Sequence, residues 1–214
     1  MSSTLDELSL RFAIQTRTAG GLAMDLGCGD GVATIAALAR GGRVIAVDPD
    51  RSALARLGER VPADQRARLR LHVGRVPEFE FKPGGLCALH AGFVLHLLEG
   101  DEIEASFAKF FRWLYPEGRL FISVLTPMGD RWWQFRAEFA RELAAGSKWP
   151  GYIKLASSLD SIPHEGTVMV NLLDDRILRP VLTAAGFSIE EVSRYSVPWD
   201  VGQKCCGITA RCDG

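Results

Sequence analysis

The sequence predicts an α/β domain built on a doubly wound, mostly parallel sheet. Three observations carry this. Short apolar runs that suit buried strands alternate with amphipathic runs that suit helices, from Leu22 to Leu125. The first apolar run, Leu22–Leu26, passes through Gly27, Gly29 and Gly31 straight into a helix-like stretch, Val32–Ala39. The second, Arg43–Val47, ends in Asp48-Pro49-Asp50. With 214 residues, 47% of them hydrophobic, the chain has material for one domain with a substantial core.

Taken in order, Thr4-Leu5-Asp6-Glu7 has the form of a capping box, and Leu5, Leu8 and Phe12 fall on one helical face, so a leading helix is expected over 4–17. After the glycine turn and the second strand, Asp50–Arg60 reads as a helix with Ala53, Leu54 and Leu57 inward. Leu69, Leu71 and Val73 alternate with Arg70 and His72 in a third strand, whose tip is Gly74-Arg75-Val76. Pro83-Gly84-Gly85 precedes a fourth strand, Leu86–His90. A helix with Ile103, Phe107, Phe110 and Leu114 inward follows, and Pro116-Glu117-Gly118 turns into a fifth strand, Arg119–Leu125.

Residues 126–170 interrupt the alternation. Arg131–Leu143 has a helical pattern, while 146–166 is rich in turn residues and aromatics, with Trp149-Pro150-Gly151-Tyr152 and Ile162-Pro163-His164-Glu165-Gly166. Long connections inside a compact domain are usually functional. This one reads as a lid over the carboxyl ends of the strands, or else as an appendage whose tryptophans are core. Asp174–Ala185 is a helix ending at Gly186, Ser188–Val192 a sixth strand and Gly207–Cys212 a seventh.

Composition narrows the function. The formal net charge is -1, and no basic run interleaves with aromatics, so nucleic acid is not the expected partner. The longest apolar candidate, Gly85–Leu98, is broken by His90 and His96, so no membrane span is expected. The polar N-terminus has no signal-peptide core. Five cysteines, including adjacent Cys205 and Cys206, lack metal-site spacing. A reduced cytoplasmic protein with free thiols and no metal is the expectation.

Glycines at a strand-to-helix turn let a ligand approach the main chain, and the helix behind them directs free amides at it. An acid at the tip of the second strand suits the two hydroxyls of a ribose. The nicotinamide fingerprint would place its third glycine at Val32. Instead, Asp25-Leu26-Gly27-Cys28-Gly29-Asp30-Gly31 resembles the first motif of class I S-adenosylmethionine-dependent methyltransferases, and Val44–Asp50 resembles their second. Ala91–Leu98 is similar to the segment that follows strand four in that family. The resemblance runs from Gly21 to Cys212 and is least specific in the lid.

The resemblance implies a single domain with seven strands in the order 3-2-1-4-5-7-6, the seventh antiparallel beside the fifth. It implies S-adenosyl-L-methionine as cofactor, S-adenosyl-L-homocysteine as product, and a methyl acceptor that is a small molecule, methylated at oxygen or nitrogen by a monomer or homodimer. Cofactor contacts carry over to Asp25, Gly27, Cys28 and Gly29 at the turn, to Asp48 and Pro49 at the ribose, to Gly74, Arg75 and Val76 at the adenine, and to His90 and Ala91 at the end of strand four. The leading helix would lie over the methionine end of the cofactor, or simply pack on the sheet edge. One departure stands out: family members often carry an adenine-accepting acid where Arg75 stands, and arginine cannot accept a hydrogen bond. Main-chain groups at Arg75-Val76, or Glu78, would replace it. The Asn-Pro-Pro-Tyr signature of base-amine methylation is absent at Leu89-His90-Ala91-Gly92. The alternative reading is a non-catalytic S-adenosylmethionine-binding sensor or partner subunit.

No universal catalytic residue carries over. Among four histidines, His72 should face outward and His96 should be a core residue. His90 closes strand four and is expected on the cofactor side, as a second candidate catalytic residue with His164. His164 is expected to contact the acceptor from the lid, with Trp149 and Tyr152, and to serve as base if the acceptor is a hydroxyl. Cys205, Cys206 and Cys212 read as structural thiols.

Overall fold

The structure is a computed structural model, and it describes residues 5–155, 168–197 and 200–213. In chain order the elements are α1 (Glu7–Thr18), β1 (Leu22–Leu26), α2 (Val32–Ala39), β2 (Arg43–Asp48), α3 (Arg51–Arg60), β3 (Leu69–Val73), β4 (Leu86–Gly92), α4 (Gly100–Trp113) and β5 (Leu114–Leu125). There follow α5 (Arg136–Ala144), β6 (Tyr152–Leu155), β7 (Val168–Asn171), α6 (Asp175–Ala184), β8 (Phe187–Val197) and β9 (Asp200–Cys212).

Seven strands form one sheet in the order β3-β2-β1-β4-β5-β9-β8. The pairs from β3 to β5 are parallel, and β9 runs antiparallel to both β5 and β8. With β6 and β7 set aside as an insertion, this is the order expected from the sequence. The period-two alternation of each strand feeds two cores. Met24, Leu26, Ile45, Val47, Leu89, Leu120 and Ile122 pack with α4 and α6. Ala23, Val44, Ala46, Ala88 and Phe121 pack with α1, α2 and α3.

The leading helix is not on the sheet edge. Leu8 and Phe12, 1% and 0% exposed, seat α1 over the central strands β4 and β5, beside α2. Burying two such side chains contributes about 1.5–3 kcal/mol each. Its cap is Asp6 rather than Thr4: the Asp6 carboxylate accepts from the amides of Leu8 and Ser9. One carboxylate oxygen can satisfy both of these unpaired donors.

Other expectations shift for local reasons. Strand three does alternate in sequence, but Leu71 and Val73 are 39% and 46% exposed, because β3 is the sheet's edge. Only a single 3-10 turn, Leu95–Leu97, follows β4, and α4 starts at Gly100 behind a capping box between Glu99 and Glu102. Leu114 therefore opens β5 instead of ending the helix. Glu117, with φ of +70°, makes the bend at Pro116-Glu117-Gly118 an irregularity inside that long strand. The helical stretch after β5 divides into a 3-10 segment, Asp130–Phe135, and α5.

The insertion contributes a two-stranded antiparallel ribbon, β6 with β7. It is anchored firmly at its described ends. The Leu172 amide donates to Gly151 O at 2.8 Å, and a Cβ on Gly151 would lie 1.8 Å from Leu172 O, so only glycine fits there. The Asn171 side chain donates to Leu98 O, and Tyr152 donates to Glu99 Oε1 at 3.0 Å. The ribbon thus stands on the segment joining β4 to α4.

Candidate active site

The turn after β1 is held to the tip of β2. The amides of Gly27 and Cys28 both donate to Val47 O, at 2.8 and 3.1 Å. Gly27, Gly29 and Gly31 all have left-handed φ, of +65°, +49° and +74°, which side chains rarely adopt. Two of them are also forced by packing: a Cβ on Gly27 would meet Val94 Cγ2 at 2.4 Å, and one on Gly31 would meet Leu57 Cδ1 at 2.3 Å. Gly29 differs. A Cβ there would meet nothing within 4 Å. The space above it is open to a ligand.

Asp48 closes the other side. Its Oδ2 accepts from the Gly29 amide and its Oδ1 from the Asp50 amide, each at 2.8 Å. A carboxylate oxygen has two acceptor positions, so each keeps one for a further donor. A cleft of about 340 Å³ opens at this point. Gly27, Asp48 and Pro49 line one part of it, and Gly74, Arg75 and Val76 another. The remaining wall is apolar: Leu26, Phe93, Val94, Leu97 and Leu98. Phe93 takes φ of +57°, unusual for an aromatic residue, while its amide donates to Ser123 O at 2.8 Å. The residues fit an adenosyl ligand: an open glycine, a carboxylate with spare acceptor positions, and an apolar wall.

Six of the expected cofactor residues therefore line the cleft. Asp25, Cys28, Gly29, His90 and Ala91 are not among its walls. Asp25, 2% exposed, spends its carboxylate on the protein: Oδ2 accepts from Thr34 N and Oγ1 at 3.1 and 2.6 Å, and Oδ1 lies 2.8 Å from His90 Nδ1. His90, 5% exposed, is stacked on Phe12 and has Nε2 at 3.2 Å from Ser9 Oγ, so its ring lies under α1 and not in the open cleft. Ala91 faces the α4 side of the sheet and is fully buried. Burial, with Asp25 and Asp48 nearby, pushes the Cys28 thiol far up, which keeps it neutral. All five cysteines are free and buried.

Arg75 is ion-paired with Glu78 at 3.3 Å and Glu102 at 3.0 Å. Glu78 thus points to Arg75 and is no part of the cleft wall. Trp149 and Tyr152 line a second cavity of about 510 Å³, with Phe135 and Phe139, which shares no lining residue with the first. A Cβ on Gly100 would lie 2.0 Å from Trp149 Nε1, so the indole is flush against the start of α4. His164 and Glu165, and most of the turn-rich part of the lid, lie outside the described residues.

Sequence reasoning missed the apolar wall. Phe93, Val94, Leu97 and Leu98 look like core in a one-dimensional pattern. The available signal was that this apolar run keeps no helical period directly after a strand.

His72 is exposed, edge-on to Phe79. His96 is half-buried, and its Nδ1 is buried without a hydrogen-bond partner among the described residues. Burial lowers its pKa to about 4. The unfolded chain, with a value near 6.5, therefore binds a proton that the fold refuses between those two values. Stability is expected to be intact above pH ~6.5 and to fall as pH drops toward 4, by roughly 2–3 kcal/mol from this residue. Urea melts at pH 7, 5.5 and 4.5 should show a shallower loss in His96→Leu than in wild type; identical slopes would remove His96 as the cause.

Among the described residues, no helix is long and apolar enough to cross a membrane. A family model described as a methyltransferase domain matches residues 23–118, from β1 to the bend in β5. A search of curated proteins returned no match. Solved structures do resemble the fold. An S-adenosylmethionine-dependent methyltransferase from Methanosarcina mazei superposes with a TM-score of 0.70 at 17% identity, covering 89% of this chain and 91% of that one. A putative S-adenosylmethionine-dependent methyltransferase from Listeria monocytogenes gives 0.72 at 14%, covering 95% and 97%. The 1,6-didemethyltoxoflavin-N1-methyltransferase of Burkholderia thailandensis, solved with 1,6-didemethyltoxoflavin and S-adenosylhomocysteine, gives 0.66 at 23%, covering 98% and 80%. The glycine turn, the acid at the tip of β2, the strand order and the match of residues 23–118 to a methyltransferase-domain model agree, and the chain has the fold of class I S-adenosylmethionine-dependent methyltransferases.

Proposed function

We propose that the chain transfers a methyl group from S-adenosylmethionine to an oxygen or nitrogen of a small molecule. The cofactor supplies an activated methyl group, and the protein supplies position and a dry environment. One observation carries the reading: the cleft joins Gly27 of the turn and a carboxylate with spare acceptor positions to an apolar wall on which the β6–β7 ribbon stands, and Gly29 of the same turn has open space above it. In this reading Asp48 holds the ribose hydroxyls, and main-chain groups at Arg75-Val76 hold the adenine. The Gly29 backbone faces the methionine part, and the acceptor enters from the side of Leu97 and the ribbon. The similar fold of the Burkholderia 1,6-didemethyltoxoflavin-N1-methyltransferase, solved with 1,6-didemethyltoxoflavin, supports a small acceptor. The charge of -1 and the buried thiols favour a cytoplasmic enzyme without a polyanionic substrate.

The test begins with calorimetry of S-adenosylhomocysteine against the wild-type protein and Gly29→Asn. Asparagine tolerates left-handed φ better than most residues, so the variant should fold. Its side chain should fill the open space and weaken binding about tenfold or more, ~1.4 kcal/mol. Unchanged affinity would mean that the turn is structural only. Mass spectrometry of acceptor pools incubated with enzyme and cofactor then seeks the added methyl. Tight binding with no transfer to any acceptor would favour the sensor reading.

A further inference from the structure

Behind the turn runs a buried hydrogen-bonded chain that joins three distant parts of the sequence. The Asp6 carboxylate, which caps α1, accepts from Ser9 Oγ at 2.7 Å. Ser9 Oγ lies 3.2 Å from His90 Nε2, and His90 Nδ1 lies 2.8 Å from Asp25 Oδ1. The other oxygen of Asp25 accepts from Thr34 N and Oγ1, in the first turn of α2. Asp6, Ser9, Asp25 and His90 are at most 7% exposed. The chain also explains a glycine: a Cβ on Gly92 would lie 2.6 Å from His90 Cε1 and 2.9 Å from Nε2, so β4 leaves room for this ring.

We propose that His90 is a positioning residue that locks α1 to the cofactor turn, so that the seating of α1 sets cofactor affinity. Nδ1 faces the Asp25 carboxylate, which accepts, and Nε2 meets the Ser9 hydroxyl, which also pairs with Asp6. The ring stands between the Ser9–Asp6 pair of α1 and Asp25 of β1. Asp25 in turn fixes the start of α2 directly after Gly31. None of these groups lines the cleft, so the effect on the cofactor passes through the turn.

The proposal rests on the cofactor reading above, and the experiment separates the two. Ser9→Ala removes one hydroxyl from α1, keeps the Asp6 cap and favours the helix. Calorimetry with S-adenosylhomocysteine should show affinity reduced about fivefold or more in Ser9→Ala, and near wild type in Ser9→Thr, which restores the hydroxyl. In a His90→Gln background, Ser9→Ala should add no further loss. Nitrogen-15 spectra of the imidazoles should show an altered His90 Nε2 signal in Ser9→Ala. A lowered melting temperature with unchanged affinity in Ser9→Ala would overturn the proposal, as would a His90 Nε2 signal that Ser9→Ala leaves unaltered. Should wild type fail to bind the ligand at all, the cofactor reading falls and the proposal with it. Should wild type and Ser9→Ala bind equally well, only the proposal falls.

Discussion

Asp25→Ala is expected to lose about 3–5 kcal/mol of folding stability. The carboxylate is buried and satisfies three donors: Thr34 N, Thr34 Oγ1 and His90 Nδ1. Alanine leaves all three facing a cavity, and unpaired buried donors bear their full desolvation cost. For a domain of this size the melting temperature should fall by about 10 °C. Asp25→Asn should lose less, because the amide oxygen still accepts from Thr34 while its NH2 confronts the His90 donor. Differential scanning calorimetry of the two variants checks the order. A neutral Asp25→Ala would mean that the network is dispensable to the fold.

Asp48→Asn is expected to weaken S-adenosylhomocysteine binding by about 1.5–3 kcal/mol, roughly 10- to 150-fold. Two effects combine. The variant loses the charge that strengthens hydrogen bonds to ribose hydroxyls. It also has one acceptor oxygen for two amides, Gly29 and Asp50, so the turn loses a brace. The second effect predicts a stability loss of about 1 kcal/mol, measurable by urea denaturation without ligand. Wild-type affinity in this variant would remove Asp48 from the ribose. Stability loss with affinity intact would leave it as a brace of the turn alone.

These two acids occupy similar places in the sequence, each at the end of a parallel strand and beside a glycine turn or a proline. Their surroundings separate them. Asp48 retains acceptor positions toward the cleft, whereas Asp25 turns inward to α2 and His90. A pattern of residues shows that both are acids at strand tips; it does not show which donors reach them.

The sequence by itself determined the architecture, because that depends on short-range periodicity. Runs such as Arg43–Val47 and Gly207–Cys212 are apolar at strand length, the glycines of the turn mark where a strand meets a helix, and the order of strands follows from the resemblance those motifs carry. The glycine turn and Asp48 were legible for the same reason: residues 27 to 31 are adjacent in the chain, and the acid closes the next strand. Tertiary structure alone decided the rest. It seated α1 over β4 and β5, since Leu8 and Phe12 show a buried face but not what covers it. It moved His90 from the expected cleft wall to a place beneath that helix, because its partners, Ser9 and Asp25, lie 81 and 65 residues away. It also gave the cleft an apolar wall from Phe93 to Leu98, where Leu97 is 56% exposed although its pattern reads as core. Burial is a property of what packs against a residue, and for these positions the packing partners come from remote parts of the chain.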